Sequence, residues 1–134
     1  MYIITEDLEK KLREEDEFDE KTIIENQSEA VYTAIDKYMS EKNIQRSELI
    51  RRLNLERTYG YQILNGTRIP TRIHIIKIGL VLELTLDEIQ RLLKIGGKEV
   101  LYARNITDAR AIYAIEHHFN YEDACEFIWN NNIA

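Results

Sequence analysis

An all-α fold is what this sequence predicts, on three observations. Strand-type alternation of apolar and polar residues is nearly absent, apolar residues recur at helical spacing along most of the chain, and only one proline and five glycines interrupt them. With 134 residues and 44% apolar content, the chain is long enough for one core with attached elements. The expected organisation is an acidic, partly ordered arm over residues 1–28, a five-helix unit over 29–96 and a helical hairpin over 97–134.

Taken in order, Glu6 to Glu20 is rich in Glu, Asp and Lys, with Leu8, Leu12 and Phe18 as its main apolar residues, and predicts a short helix that is frayed or partly docked. From Glu29 the spacing becomes regular: Val31, Ile35, Tyr38 and Met39 line one face of a helix ending near Lys42 to Asn43. Ile44, Leu49, Ile50 and Leu53 mark a short second helix, and Asn54 follows where a left-handed turn residue fits. A third helix runs from Arg57 to Leu64 and stops at Asn65-Gly66, and a fourth opens at Pro70-Thr71 and carries Ile75, Ile78, Gly79 and Leu82. Thr85 and Glu88 form an S/T-x-x-E capping box for a fifth, which Gly96-Gly97 closes.

Beyond the glycines, Lys98 to Arg104 reads as extended. Thr107 is the expected cap of a sixth helix with Ala111, Ile112, Ile115 and Phe119 on its apolar face. A seventh, from about Tyr121 to Asn130, carries Ala124, Phe127 and Ile128, and the pair forms a hairpin packed on the five helices or on a second subunit.

Charge is distributed unevenly. The net value of -6 combines -8 over Met1 to Glu41, +6 over Lys42 to Lys77 and -4 over Ile78 to Ala134. A basic block inside an acidic chain is the electrostatic footprint expected for nucleic acid when other segments control solubility or access.

Several function classes fall away. No run approaches the roughly eighteen apolar residues of a membrane span, and the N-terminus lacks the basic-then-apolar pattern of a signal peptide, so a cytoplasmic chain with no membrane association is expected. Cys125 is the only cysteine, which excludes an internal disulfide; a small buried side chain is its expected role. No Gly-rich phosphate loop, nucleophile elbow or metal set is present, so neither an enzyme, a metal nor a cofactor is expected. His117 and His118 are adjacent and point to different helix faces, His74 is expected to be exposed or near a phosphate, and Glu14-Glu15-Asp16-Glu17 reads as a solvated run.

The informative window runs from Ile44 to Ile89. Leu49-Ile50, then Asn54, then Leu55 with Ile63, then Gly66 with Pro70 stand in order with fixed spacing. This pattern resembles the Cro and phage-repressor family, the XRE-type helix-turn-helix regulators, over about 60 residues without a gap. That family typically shows a Leu-Ala pair in the second helix, a Gly or Asn turn, an apolar pair around the recognition helix, and Gly followed four residues later by Pro. The resemblance implies a five-helix repressor-like domain that binds double-stranded DNA and regulates transcription, with the helix around 57–64 in a major groove.

It further implies that Glu56, Arg57, Thr58, Tyr59, Tyr61 and Gln62 face the groove, Arg57 and Gln62 being suited to guanine and adenine, and Thr58 and Tyr59 to thymine methyls or phosphates. Arg46, Asn65, Arg68, Thr71 and Arg72 match positions where the family meets phosphate, and these would set affinity and salt dependence without carrying sequence information. Two positions depart from the pattern: Gly60 stands where a branched aliphatic residue is usually buried, and Leu64 where Glu is common. The missing side chain at position 60 predicts a helix set closer to the core.

Family members usually act as homodimers, and the implied contacts are Tyr113, Phe127, Ile128 and Trp129 of the hairpin, which equally suit the monomer's own core. A protein-interaction module, antitoxin-like or adaptor-like, built on the same scaffold is the alternative reading. The acidic arm either folds over the basic face and competes with DNA or serves as a solubilising tail.

Overall fold

The computed structural model describes residues 3–130. Eight helices and no strand are found among them: α1 (Thr5–Glu14), α2 (Glu20–Lys42), α3 (Arg46–Leu53), α4 (Arg57–Leu64), α5 (Arg72–Val81), α6 (Leu86–Ile95), α7 (Ile106–Glu116) and α8 (Tyr121–Trp129). None is long and apolar enough to cross a membrane among the described residues.

The helix expected from Glu29 begins at Glu20, so the boundary drawn between 28 and 29 falls inside a continuous α2. Its start is set by Asp19, whose carboxylate accepts from the Lys21 amide at 3.1 Å and the Thr22 hydroxyl at 2.7 Å. Apolar periodicity does not reveal this first half because polar residues fill its inward positions. Asn26 and Ser28 are buried; the Asn26 carboxamide donates to the Thr22 carbonyl and accepts from the Ile3 amide at 2.7 Å. That last bond ties the N-terminal segment to α2, along a groove lined by Ile3, Leu8, Ile23, Ala30, Ala34 and Ile95. The arm therefore lies beside α2 and the end of α6.

Six helices end in the same way. Asn43, Asn54, Gly66, Glu83, Gly97 and His118 adopt left-handed backbone, and the next amide reaches back to a carbonyl five residues earlier: Ile44 to Met39, Leu55 to Ile50, Thr67 to Gln62, Leu84 to Gly79, Lys98 to Leu93 and Phe119 to Ala114. At the other ends, Thr71 caps α5, Thr85 and Glu88 close a reciprocal capping box on α6, and Asn120 caps α8. The cap of α7 is Asn105 instead of the expected Thr107: its side chain accepts from the Asp108 amide at 2.9 Å, and the helix starts two residues early.

One core unites the chain from α2 to α8. Ile35, Leu49, Ile63, Ile75, Ile78, Leu82, Ile89, Leu92 and Leu93 are fully buried, and Ala111, Ala114, Ala124 and Ile128 of the hairpin belong to the same cluster. Helix α8 packs on α5 and α7 on α6, so the hairpin covers its own chain. At the α5/α6 contact a Cβ on Gly79 would stand 2.5 Å from Cγ1 of Ile89, which leaves no room for a side chain.

The segment 98–104, expected to be extended, is irregular and is held by a polar clasp. The Gln90 carboxamide both donates to the Leu101 carbonyl at 3.0 Å and accepts from its amide at 2.7 Å. Asp108, 7% exposed, accepts from the Tyr102 amide and from two nitrogens of Arg72 at 3.1 and 2.8 Å. Arg72 also donates to the Glu99 and Val100 carbonyls. Burial alone would raise the Asp108 pKa, but hydrogen bonds from Arg72 and Tyr102 together with the Arg72 charge hold it below its usual range.

Candidate nucleic-acid interface

Helix α3 ends at Asn54, and residues 54–56 turn the chain into α4. Glu56 opens α4: its carboxylate accepts from the Tyr59 amide at 2.9 Å and the Thr58 amide at 3.0 Å, and these bonds hold its pKa below the usual range. An ionised carboxylate thus occupies the helix N-terminus and repels any phosphate there.

The inner face of α4 is Gly60, Ile63 and Leu64, all buried. A Cβ on Gly60 would lie 2.8 Å from Cγ1 and 3.0 Å from Cγ2 of Ile50. Ile50 of α3 and Gly60 of α4 thus fit each other: the isoleucine side chain fills the space that a side chain at position 60 would take. Leu64, 2% exposed, contributes to the core.

Of the residues expected to face a groove, Arg57 and Thr58 are exposed and Gln62 is half-buried. Arg57 leans over the Tyr61 ring, its Cζ 5.8 Å from the centroid. Both tyrosines are half-buried. Tyr61 lines a cleft with Asp36, Met39 and Ser40 of α2, and the Tyr59 hydroxyl is hydrogen-bonded to Nδ1 of His74 at 3.0 Å.

The residues expected at phosphates divide as well. Arg68 and Thr71 are exposed on the loop between α4 and α5, and the Thr71 hydroxyl oxygen accepts from the His74 amide at 3.2 Å. Asn65 is exposed, its Oδ1 accepting from the Thr67 amide and hydroxyl. Arg46 donates to the Tyr32 hydroxyl at 3.0 Å and lies 3.8 Å from Asp36, with 42% of its side chain exposed. Arg72 does not belong with them: the four hydrogen bonds of the clasp leave it one N–H to offer, so it acts as an internal strut.

Thr67 was not among the expected residues, and His74, expected to be exposed or near a phosphate, is held inside the site. The Thr67 hydroxyl lies 2.8 Å from Asn65 Oδ1 and 3.1 Å from the Gln62 carbonyl, so its one proton is shared between two acceptors and shapes the loop. His74 is half-buried against Tyr59; burial, then the Lys77 charge, keeps its pKa below 6.5. The i, i+3 offset from Thr71 marks His74 as the third residue of α5, but its tyrosine partner lies fifteen residues upstream, beyond any local signal.

Among the hairpin residues implied for a dimer, Ile128 is 1% exposed within its own chain's core, which removes it from any free surface. Phe127 and Trp129 are half-buried, the latter under Lys77, whose Nζ is 5.3 Å from its ring. Tyr113 is exposed and stacks on His117 with centroids 4.0 Å apart. His118 is the left-handed residue closing α7, and Cys125 is half-buried, less enclosed than expected. Among the described residues no group of three His, Cys, Asp or Glu could hold a metal ion.

No protein-family profile, curated protein or solved structure matches this chain.

Proposed function

We propose that the chain binds double-stranded DNA sequence-specifically as a transcriptional regulator, with α2 to α6 forming a repressor-like helix-turn-helix unit and α4 entering the major groove. The observation that carries this reading is the division of α4. One face, through Gly60, Ile63 and Leu64, is packed against the core, while Arg57, Thr58 and Gln62 are left for base edges, beside Arg68 and Thr71 for the backbone. The basic block of the sequence coincides with this part of the fold.

The test is duplex retention on a column at low salt. Retention is expected to fall steeply as salt rises and to drop when Arg57→Ala and Arg68→Ala are combined. Retention that the double variant leaves unchanged overturns the proposal.

The same reading puts a homodimer on a near-palindromic site, with Tyr113, Phe127 and Trp129 as the hairpin residues left to make contacts. Sedimentation showing a monomer at high concentration, with and without duplex, removes that part. A protein-interaction role is the second reading, favoured by three large apolar side chains left open near the clasp: Ile73 at 48% exposure, Tyr102 at 60% and Ile106 at 72%. Absence of duplex retention in the wild-type chain would move the weight to it.

A further inference from the structure

Three side chains from successive parts of the chain meet beside the outward face of α4. The Tyr59 hydroxyl is bonded to Nδ1 of His74 at 3.0 Å, the two rings lie 5.4 Å apart at 54°, and Cζ of Arg68 sits 5.3 Å from the centre of the Tyr59 ring. His74 is itself fixed, since its amide donates to the Thr71 hydroxyl oxygen at the start of α5.

Reading a base edge requires a donor or acceptor turned to the groove, and the hydroxyl of the half-buried Tyr59 is turned to His74 within the protein. Its ring does something else. An exposed guanidinium resting on an aromatic ring keeps fewer rotamers than one in open solvent and loses less freedom when it takes up a phosphate.

We infer that Tyr59 is a positioning residue, which presents Arg68 to a DNA phosphate, and that discrimination between bases on α4 falls to Arg57, Thr58 and Gln62. This rests on the DNA-binding reading above. In this arrangement α4 and the loop after it are coupled through one side chain: His74 anchors the tyrosine, and the tyrosine holds the arginine.

The experiment compares the wild-type chain with Tyr59→Phe and Tyr59→Leu, taking sequence preference from a randomised duplex pool and salt dependence on the preferred duplex. Tyr59→Phe keeps the ring and loses the hydroxyl. It is expected to bind about five-fold more weakly, the scale of one hydrogen bond, with the same base preference and the same salt slope. Tyr59→Leu also loses the ring, and its salt slope is expected to fall by about 0.9, the signature of one phosphate contact, again with preference unchanged.

His74→Phe is expected to match Tyr59→Phe, and the two together to bind no more weakly than either alone. A preference changed at one base pair in Tyr59→Phe, or losses that add in the double variant, overturns the inference and leaves DNA binding intact. A wild-type chain that retains no duplex at low salt overturns the DNA-binding reading and this inference with it. Tyr59→Phe alters only a hydroxyl and keeps the test readable if Tyr59→Leu fails to fold.

Discussion

Arg68 and Arg72 are four residues apart, and the regions they belong to are built on opposite principles. Around Arg68 the side chains are exposed and lightly held: a ring beneath the guanidinium, Asn65 and Thr71 each engaged in a local turn or cap, and Arg57 leaning on Tyr61. Around Arg72 the polar groups are satisfied internally, with Asp108 taking two nitrogens and the Tyr102 amide while Gln90 pairs with both backbone groups of Leu101. A charged residue near a candidate DNA surface is therefore judged by what its hydrogens already hold. The first region leaves its side chains open to solvent, while the second welds the hairpin to the rest of the fold.

Breaking the weld is expected to have the largest effect. Asp108→Ala leaves Arg72 and the Tyr102 amide without their acceptor and is expected to lower stability by about 2–4 kcal/mol, a figure kept below that of a fully buried pair because Arg72 is partly exposed. Urea unfolding checks this, and duplex affinity per folded molecule should be unchanged; lost affinity with stability intact would put Arg72 on the DNA face. The pH dependence has a definite sign. The Asp108 carboxyl titrates below its unfolded value of 3.8 in the fold, so its contribution is complete above that pH and is lost as the pH falls through the lowered value. Asp108→Asn should flatten the acid limb of the stability curve.

Next in size is the contact beneath the outward face. Gly60→Val forces a branched side chain against Ile50 and is expected to cost about 1–3 kcal/mol. Adding Ile50→Ala should recover most of that loss, measured as a double-variant cycle by thermal unfolding; losses that simply add would mean the two residues do not share the space.

On the outward face itself, Arg57→Ala is expected to leave stability within about 0.5 kcal/mol. It should weaken binding to a preferred duplex by about 1–3 kcal/mol and relax preference at one position. The smallest effect lies in neither region. Glu83 holds left-handed backbone at φ 54° with no glycine to ease it, and Glu83→Gly is expected to raise stability by about 0.5–1 kcal/mol in urea unfolding.

What could be read in the sequence followed the range of the physics involved. The turn at Asn54 and the capping box of Thr85 with Glu88 are local devices, made within a few residues by side chains suited to them, and both stand where expected. Glu83 and His118 perform the same turn without a residue type that announces it. The first half of α2 escaped because Asn26 and Ser28 occupy buried positions that an apolar count passes over.

Within the candidate site, Arg57, Thr58, Arg68 and Thr71 were legible as outward residues. Arg72 looked equivalent to Arg68 because its carboxylate partner lies 36 residues downstream. The pairing of Tyr59 with His74 on α5 carries no local sign, because the two side chains, fifteen residues apart, are brought together only by the folding of the chain.

The fit of Ile50 to Gly60 also bears on how such a chain can change over generations. Any enlargement at position 60 meets Ile50 at once, and any reduction at position 50 opens a void beside a glycine, so each first step is penalised alone. A lineage passing between this arrangement and one with Ala at 50 and a branched residue at 60 must cross a less stable intermediate or change both positions together. The two positions should therefore vary as a pair among descendants of this chain, even though neither side chain faces solvent.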